Sequence, residues 1–301
     1  MHTLAINGYR GISAENIPLN KVNIIIGENG SGKTSFLEAV FLVTLLNSAY
    51  PLDERMNWLT HTFFSRGDVL SSILTLEDST IKLDDNKVEI KKEGIDTIRL
   101  VSDYTSVKIS LKRSMVVPEN ALPVIAYSPS YEVEKSNVGV FTPVYITSYF
   151  DAFDNPERII SKAKRKGFES NDLEILRDEV TGYYKLFKGY LPVYVLGRGM
   201  LKRELIKASL KFCDVLLVDE VEDSLHPDML LNVIKETKES NATLFITTHS
   251  NEVLKMAYNV YEKEKLNIIV MKDRRVIAYN NPKDVEAIMS LEPSLSWIKY
   301  V

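Results

Sequence analysis

Gly27-Glu28-Asn29-Gly30-Ser31-Gly32-Lys33-Thr34 is the stretch that decides the fold class. It fits G-x-x-x-x-G-K-[ST]: glycines let consecutive backbone N–H groups curl around a phosphate, and the following helix N-terminus adds positive dipole. Lys33 supplies a point charge at the β- and γ-phosphates, and Thr34 offers a hydroxyl to Mg²⁺. Before it, Val22 to Ile26 is a mostly β-branched run broken only by Asn23, as in a buried strand. After it, Phe36, Leu37, Val40, Phe41 and Leu45 recur at helical spacing. Strand, loop and helix follow in the order a triphosphate site needs. A plain Gly/Ser turn accounts for neither flank.

Further along, Leu216-Leu217-Val218-Asp219-Glu220 is an apolar strand ending in two carboxylates. Ligands of open α/β sheets sit beyond the carboxyl ends of the strands, so these acids should emerge beside the phosphate loop. There Asp219 would hold Mg²⁺ and Glu220 would take a proton from an attacking water. Taken alone, the pattern is also that of a strand and an acidic turn. Leu244 to Ser250 repeats the design, with Thr247, Thr248 and His249 at the strand end and Ser250 as a helix cap. A histidine such as His249, taken alone, more often has a structural role; beside the other two motifs it suits a neutral imidazole that reads the γ-phosphate and orients the water.

Composition bounds the rest. The 301 residues are 45% hydrophobic and 26% charged, enough to bury a core, and the single cysteine, Cys213, excludes an internal disulfide and a cysteine-based zinc site. The start lacks a basic and apolar leader, and no run of eighteen apolar residues occurs, so a cytoplasmic protein with no membrane partner is expected. A net charge of −4 excludes the strong overall positive field of a non-specific DNA binder. Residues 156–211 are locally basic, with thirteen Lys and Arg against seven Asp and Glu; solvated helix faces explain such a run more often than a surface for nucleic acid or an acidic partner does.

Residues 1–48 and 193–271 read as an α/β core, with strands at 4–6, 22–26, 215–218, 243–247 and 267–271 and helices at 200–211, 227–238 and 250–262. Between them, 70–149 reads as an antiparallel β lobe whose last strand is 144–149. Residues 150–192 read as a helical insertion: one helix capped by Asn155 with Pro156 first and Gly167 as stop, then a second opened by Asn171 and Asp172. Tyr183, Tyr184 and Phe187 would face its core.

These motifs resemble those of ABC-type ATPases of the RecF, SMC and OLD branch, and most closely the AAA-domain proteins. The resemblance rests on Leu4-x-Ile6-Asn7-Gly8-Tyr9-Arg10-Gly11, on Asn23 to Ala39 including Ser35, on Asp219-Glu220-Val221-Glu222-Asp223-Ser224-Leu225-His226-Pro227, and on Thr247-Thr248-His249-Ser250. It covers roughly 1–48 and 193–258. It implies one P-loop NTPase head of ABC type over 1–301, with a mainly parallel sheet, that binds ATP and Mg²⁺ and hydrolyses ATP. Gly27 to Ser35 and Arg10 would contact the nucleotide, Lys33, Glu220 and His249 would be catalytic, and Thr34 and Asp219 would hold the metal.

The resemblance also implies head-to-tail pairing of two copies, each nucleotide meeting a signature peptide of the other head. Here that peptide is Leu196-Gly197-Arg198-Gly199. Serine is missing where many relatives have it, and Arg198 stands at an often acidic position; either change would weaken the composite site, and equally Arg198 suits an arginine finger in trans. The chain contains no glutamine for the usual loop between metal site and helical lobe. Long coiled-coil arms and a nuclease domain are not expected, and the pattern is not that of a transporter subunit. The implied function is an ATP-driven dimer switch in DNA maintenance or anti-phage defence, acting on DNA or a separately encoded effector. The alternative is a slow ATP sensor or scaffold that regulates a separate nuclease or toxin.

Overall fold

Ile24 and Ile26 face one hydrophobic core and Ile25 another, and all three are fully buried. The strand before the phosphate loop is therefore covered on both faces, which its near-continuous β-branched run requires. In the computed structural model, which describes residues 2–64, 76–116, 124–147, 156–170, 173–177, 184–193 and 197–290, this strand is β3 (Val22–Gly27). It runs parallel to β15 (Leu266–Lys272) and β14 (Thr243–Thr248); beyond β14 lie parallel β13 (Val215–Val218) and β9 (Pro143–Ile146). Antiparallel β16 (Arg275–Tyr279) completes the order β16-β15-β3-β14-β13-β9.

A second sheet is wholly antiparallel. It consists of β1 (His2–Tyr9), β2 (Ile12–Leu19), β4 (Ser79–Leu83), β5 (Asn86–Lys92), β6 (Thr97–Ser102), β7 (Thr105–Val116) and β8 (Val124–Ser136), in the order β2-β1-β4-β5-β6-β7-β8. Helix α1 (Lys33–Leu46) lies between the two sheets, and 12 of its 14 residues are buried. A helix covered on nearly all sides needs apolar residues all round, which this one has. The helix α2 (Leu52–Phe64) follows it. The other face of the parallel sheet packs on α3 (Pro156–Arg165), α4 (Arg198–Ser209), α5 (Pro227–Lys238), α6 (Asn251–Val260) and α7 (Pro282–Ser290).

Asn23, the polar break in β3, is fully buried and fully satisfied. Its Oδ1 accepts from Asn20 N (3.0 Å) and Asn267 Nδ2 (3.1 Å), and its Nδ2 donates to Asn20 O (2.8 Å) and Leu244 O (3.1 Å). The asparagine thus ties three strands together at the end of the sheet away from the phosphate loop, and no buried polar group of its own is left unpaired.

The fold class is as expected, an α/β P-loop architecture with a mainly parallel sheet and an antiparallel lobe, but several elements differ. The first strand, around 4–6, pairs with β2 and β4 in the antiparallel sheet and not with the parallel core. The strand expected at 144–149 to end the β lobe is β9, parallel to β13; all four of its residues are buried, so neither face is free for a solvated lobe. The helix expected after 171 is absent among the described residues. In its place β10 (Glu174–Arg177), β11 (Tyr184–Lys188) and β12 (Leu191–Pro192) form a small antiparallel sheet. Over five residues an apolar spacing fits either period, and Glu157 of α3 accepts from Leu186 N (3.1 Å), holding the segment extended. Residue 156 begins α3, and Gly167 follows it with φ 80°. Helix α2 and strand β16 were not expected. Residues 70–75 and 148–149 of the expected β lobe, with Asn155, Asn171, Asp172, Tyr183 and Leu196, lie outside the described residues.

Candidate functional site

Because β3, β14 and β13 are neighbours and parallel, their carboxyl ends lie side by side. Gly27, Thr248 and Val218 close these strands. The loop after β3 curls through left-handed backbone at Gly30 (φ 78°) and Gly32 (φ 105°), with Ser31 N donating to Glu28 O (3.2 Å). A Cβ on Gly27 would stand 2.4 Å from Met271 O and 2.5 Å from Ser31 Oγ, so only glycine lets β15 and the loop approach this closely. Helix α1 starts at Lys33 with no acid in its first turn, leaving its N-terminal dipole directed at the loop. Glu28, Asn29 and Gly30 are exposed, and Ser35 is half-buried on the first turn of α1.

Lys33 is only 6% exposed. Its ammonium donates to Gly27 O and Glu28 O, both at 3.0 Å, and meets His249 Nδ1 at 3.4 Å. An ammonium has no acceptor, so Nδ1 is the bare nitrogen and the ring proton sits on Nε2. Nε2 then donates to Glu220 Oε1 at 3.3 Å. Lysine, histidine and glutamate thus form one chain across the strand ends. Burial lowers the pKa of Lys33 below the ordinary lysine value, against the pull of Asp219, Glu220 and Glu222.

Asp219 is almost fully buried. Its Oδ1 accepts from Thr247 Oγ1 (2.6 Å) and Thr34 Oγ1 (3.4 Å), and Thr247 Oγ1 accepts in turn from Glu220 N (2.7 Å). Glu222 fixes the histidine's backbone, its Oε1 accepting from His249 N at 2.6 Å. Ser250 caps α6 as expected, accepting from Glu252 N and Val253 N. Glu220 takes φ 45° and Ser224 φ 65°, both left-handed and sparsely populated for such residues. The loop between β13 and α5 is therefore held in shape by its surroundings.

The donor set suits Mg²⁺: a carboxylate and a hydroxyl, both hard oxygens, stand side by side, leaving room for the waters and phosphate oxygens this ion retains. Among the described residues no group of three or more His, Cys, Asp and Glu side chains gathers into an all-protein cage. Ser31 Oγ is buried in the phosphate loop without a hydrogen-bond partner among the described residues, a donor that an anion would satisfy.

Lys33, Thr34, Asp219, Glu220 and His249 are thus brought together. Arg10 (φ 47°) sits at the turn between β1 and β2 with its Nε 3.1 Å from Glu38 Oε2 of α1 and 3.4 Å from Tyr9 OH. Burial works against its charge, but Tyr9 and Glu38 more than compensate and raise its pKa. Gly197 and Arg198 are exposed at the start of α4, whereas Gly199 is buried. A Cβ on Gly199 would come within 1.9 Å of Ser224 O. Its lack of a side chain therefore serves packing within this chain, whatever faces its exposed neighbours. Gly199→Ala is expected to lower stability by about 1–3 kcal/mol, seen as a lower denaturant midpoint; an alanine variant as stable as the parent would contradict this.

Three participants escaped the sequence reading. Thr247 and Glu222 carry side-chain hydrogen bonds between the strand ends, and Lys202 of α4 reaches the backbone after β13. The turn from β15 to β16 also packs on the phosphate loop: Arg274 N donates to Ser31 O (3.1 Å), and Asp273 and Arg274 are left-handed. Together they border a cavity of about 300 Å³ lined by Glu28, Asn29, Gly30, Ser31, Met271, Lys272 and Asp273. Residues 272–275 have the local pattern of a turn, and nothing in that pattern signals docking on the phosphate loop.

Comparison with known proteins gives one family match, to a model described as AAA domain, putative AbiEii toxin, Type IV TA system, over residues 22–255. The DNA replication and repair protein RecF of Shouchella clausii (strain KSM-K16) is 30% identical over 152 residues, 49% of this chain and 40% of the relative. RecF of Pseudoalteromonas translucida (strain TAC 125) is 52% identical over 42 residues, 14% of this chain and 12% of that one. The matches thus span less than half of either relative. Similar solved structures include an SmcHead bound to the C-winged helix domain of ScpA (15% identity, TM-score 0.46, 93% of this chain and 98% of that one). Another is the SMC head domain from Thermotoga maritima (13% identity, TM-score 0.36, 92% and 97%).

Proposed function

Because the chain belongs to the family described as AAA domain, putative AbiEii toxin, Type IV TA system, we propose that it hydrolyses ATP and works as a nucleotide-driven switch, two copies closing head to tail over Mg-ATP. The observation that carries this is the convergence of Lys33, Thr34, Asp219, Glu220 and His249 at three adjacent strand ends. Thr34 and Asp219 would hold Mg²⁺, which would supply neutralisation of developing phosphate charge.

Lys33 already spends its three protons on Gly27 O, Glu28 O and His249 Nδ1. An arriving phosphate must displace at least one of these. Turning the ammonium toward phosphate frees the imidazole to turn so that its Nε2–H leaves Glu220 and donates to the γ-phosphate, and Glu220 is then available to take the proton of the attacking water. We read Gly27 to Ser35 as the cradle, and Arg10, held by Glu38 at the β1–β2 turn, as a further nucleotide contact.

Exposed Gly197 and Arg198 at the N-terminus of α4 supply N–H groups and charge to the γ-phosphate of the second copy, with buried Gly199 setting their height. We read 1–301 as a single head of this kind, its nucleotide core drawn from 1–48 and 193–271. Its setting would be cytoplasmic, in DNA maintenance or anti-phage defence; the RecF relatives carry DNA replication and repair in their name, and no helix among the described residues is long and apolar enough to cross a membrane. DNA or a separately encoded effector would be the macromolecular partner. Light scattering with Mg-ATP and with Mg-ADP is the test: the reading expects a dimer with ATP and a monomer with ADP, and equal masses would refute the switch.

A second reading, a slow ATP sensor that regulates a separate nuclease or toxin, is favoured by the missing serine of the signature peptide and by the absence of glutamine. ATP-dependent pairing with little phosphate release would select it. Stimulation of phosphate release by duplex DNA would select the maintenance role.

A further inference from the structure

Lys202 lies one helical turn after Gly199 on α4 and is completely buried. Its ammonium donates to Glu220 O at 2.6 Å, Asp219 O at 3.3 Å and Asp223 O at 3.4 Å. All three protons are thus directed at backbone carbonyls of one loop, and among the described residues no carboxylate hydrogen-bonds the amine. Burying a cation is unfavourable unless its surroundings compensate. Here three carbonyls do so, together with the field of Asp223, Glu222, Asp219 and Glu220, although burial still brings the amine down to about 8.

We propose that Lys202 is a positioning residue for hydrolysis: from α4 it pins the 219–223 loop, fixes the left-handed conformation that aims the Glu220 carboxylate, and ties that conformation to the N-terminus of α4. The inference rests on the ATP-hydrolysing function proposed above. Glu220 has φ 45°, a conformation that must be over-determined by contacts to persist, and the shortest of the Lys202 bonds is to its carbonyl. Gly199, on the same face of the helix, presses on Ser224 O at the far end of the same loop. Two contacts one turn apart therefore lock α4 to the loop as a unit. Exposed Gly197 and Arg198 begin that helix, so a second copy engaging them would act on a rigid element whose other contact is the carbonyl of Glu220. The signature peptide and the catalytic carboxylate of one chain become mechanically linked through a buried amine.

The test compares wild type with Lys202→Met, which keeps most of the apolar stem but removes all three donors, and Lys202→Gln, which keeps two on a side chain of the same length as methionine. Phosphate release gives kcat and KM, a fluorescent ATP analogue gives binding, and thermal unfolding reports the fold. Misplacing a catalytic group by about 1 Å costs on the order of 100-fold, so kcat is expected to fall by about 10- to 100-fold in the methionine variant and less in the glutamine variant. KM and analogue binding should stay near wild type, since the Lys33 cradle is untouched. Should the methionine variant fail to fold, the glutamine variant decides. A folded variant with wild-type kcat overturns the proposal, as does a loss of analogue binding that matches the loss of kcat. A wild-type chain that does not hydrolyse ATP would instead overturn the function on which the proposal rests, and the proposal with it.

Discussion

Glu220→Gln is expected to lower ATP turnover by about 10²- to 10⁴-fold, the usual worth of a positioned general base, while Mg-ATP binding stays near wild type. The change alters one atom and removes one charge. Glutamine still accepts from His249 Nε2 through its amide oxygen, so the 3.3 Å contact between residues 220 and 249 survives. The left-handed backbone of this position is set by Thr247 Oγ1 at the N–H and Lys202 at the carbonyl, neither of which reads the side chain. Geometry is therefore retained and basicity lost, as a test of proton transfer requires. Steady-state phosphate release measures the loss, and analogue titration checks binding. Undiminished turnover would remove Glu220 from the role of base. The same variant should accumulate the ATP-bound dimer, and whatever co-purifies with it identifies the partner.

Lys33→Ala should weaken ATP binding by roughly 10- to 150-fold, the equivalent of about 1.5–3 kcal/mol for a hydrogen bond to a charged group. Two losses act in the same direction. The phosphate loses its point charge, and the empty loop loses the bridge between Gly27 O and Glu28 O that preserves its curl. The nearby carboxylates Asp219, Glu220 and Glu222, whose field favours the ammonium, would then face the incoming phosphates uncompensated. Titration with the fluorescent analogue checks this, and tight binding by the alanine protein would refute the cradle. His249 would also lose the donor to its Nδ1, so its ring should become free to change tautomer, which NMR of the imidazole nitrogens detects.

Much of the site was legible because its parts are local. The phosphate loop joins a strand and a helix within a few residues, and its chemistry follows from glycine spacing. The strand that leads into Asp219 and the strand that ends at Thr248 announce themselves as short apolar runs. Other parts gave no such signal. Lys202 sits in a helix with several lysines and arginines, and only its burial separates it from a solvated cation. Gly199 reads as a piece of the signature peptide, yet its distance to Ser224 O shows a packing constraint inside the chain. The segment after Gly167 was misread as helix because strand pairing is non-local, and a short apolar spacing does not choose between the two periods.

By itself, then, the sequence determined the local chemistry: where the backbone curls around an anion, which strands are buried, and which acids and which histidine end them. Tertiary structure alone decided the assignments that depend on distant pairing. It joined β1 to the antiparallel sheet and β9 to the parallel one, docked the β15–β16 turn on the phosphate loop, and drove the Lys202 amine under the carbonyl of Glu220. The physical reason is the range of each interaction. Turn and cap preferences act over a few residues, whereas a buried amine, a missing Cβ and a strand edge acquire meaning only from what the rest of the chain brings against them.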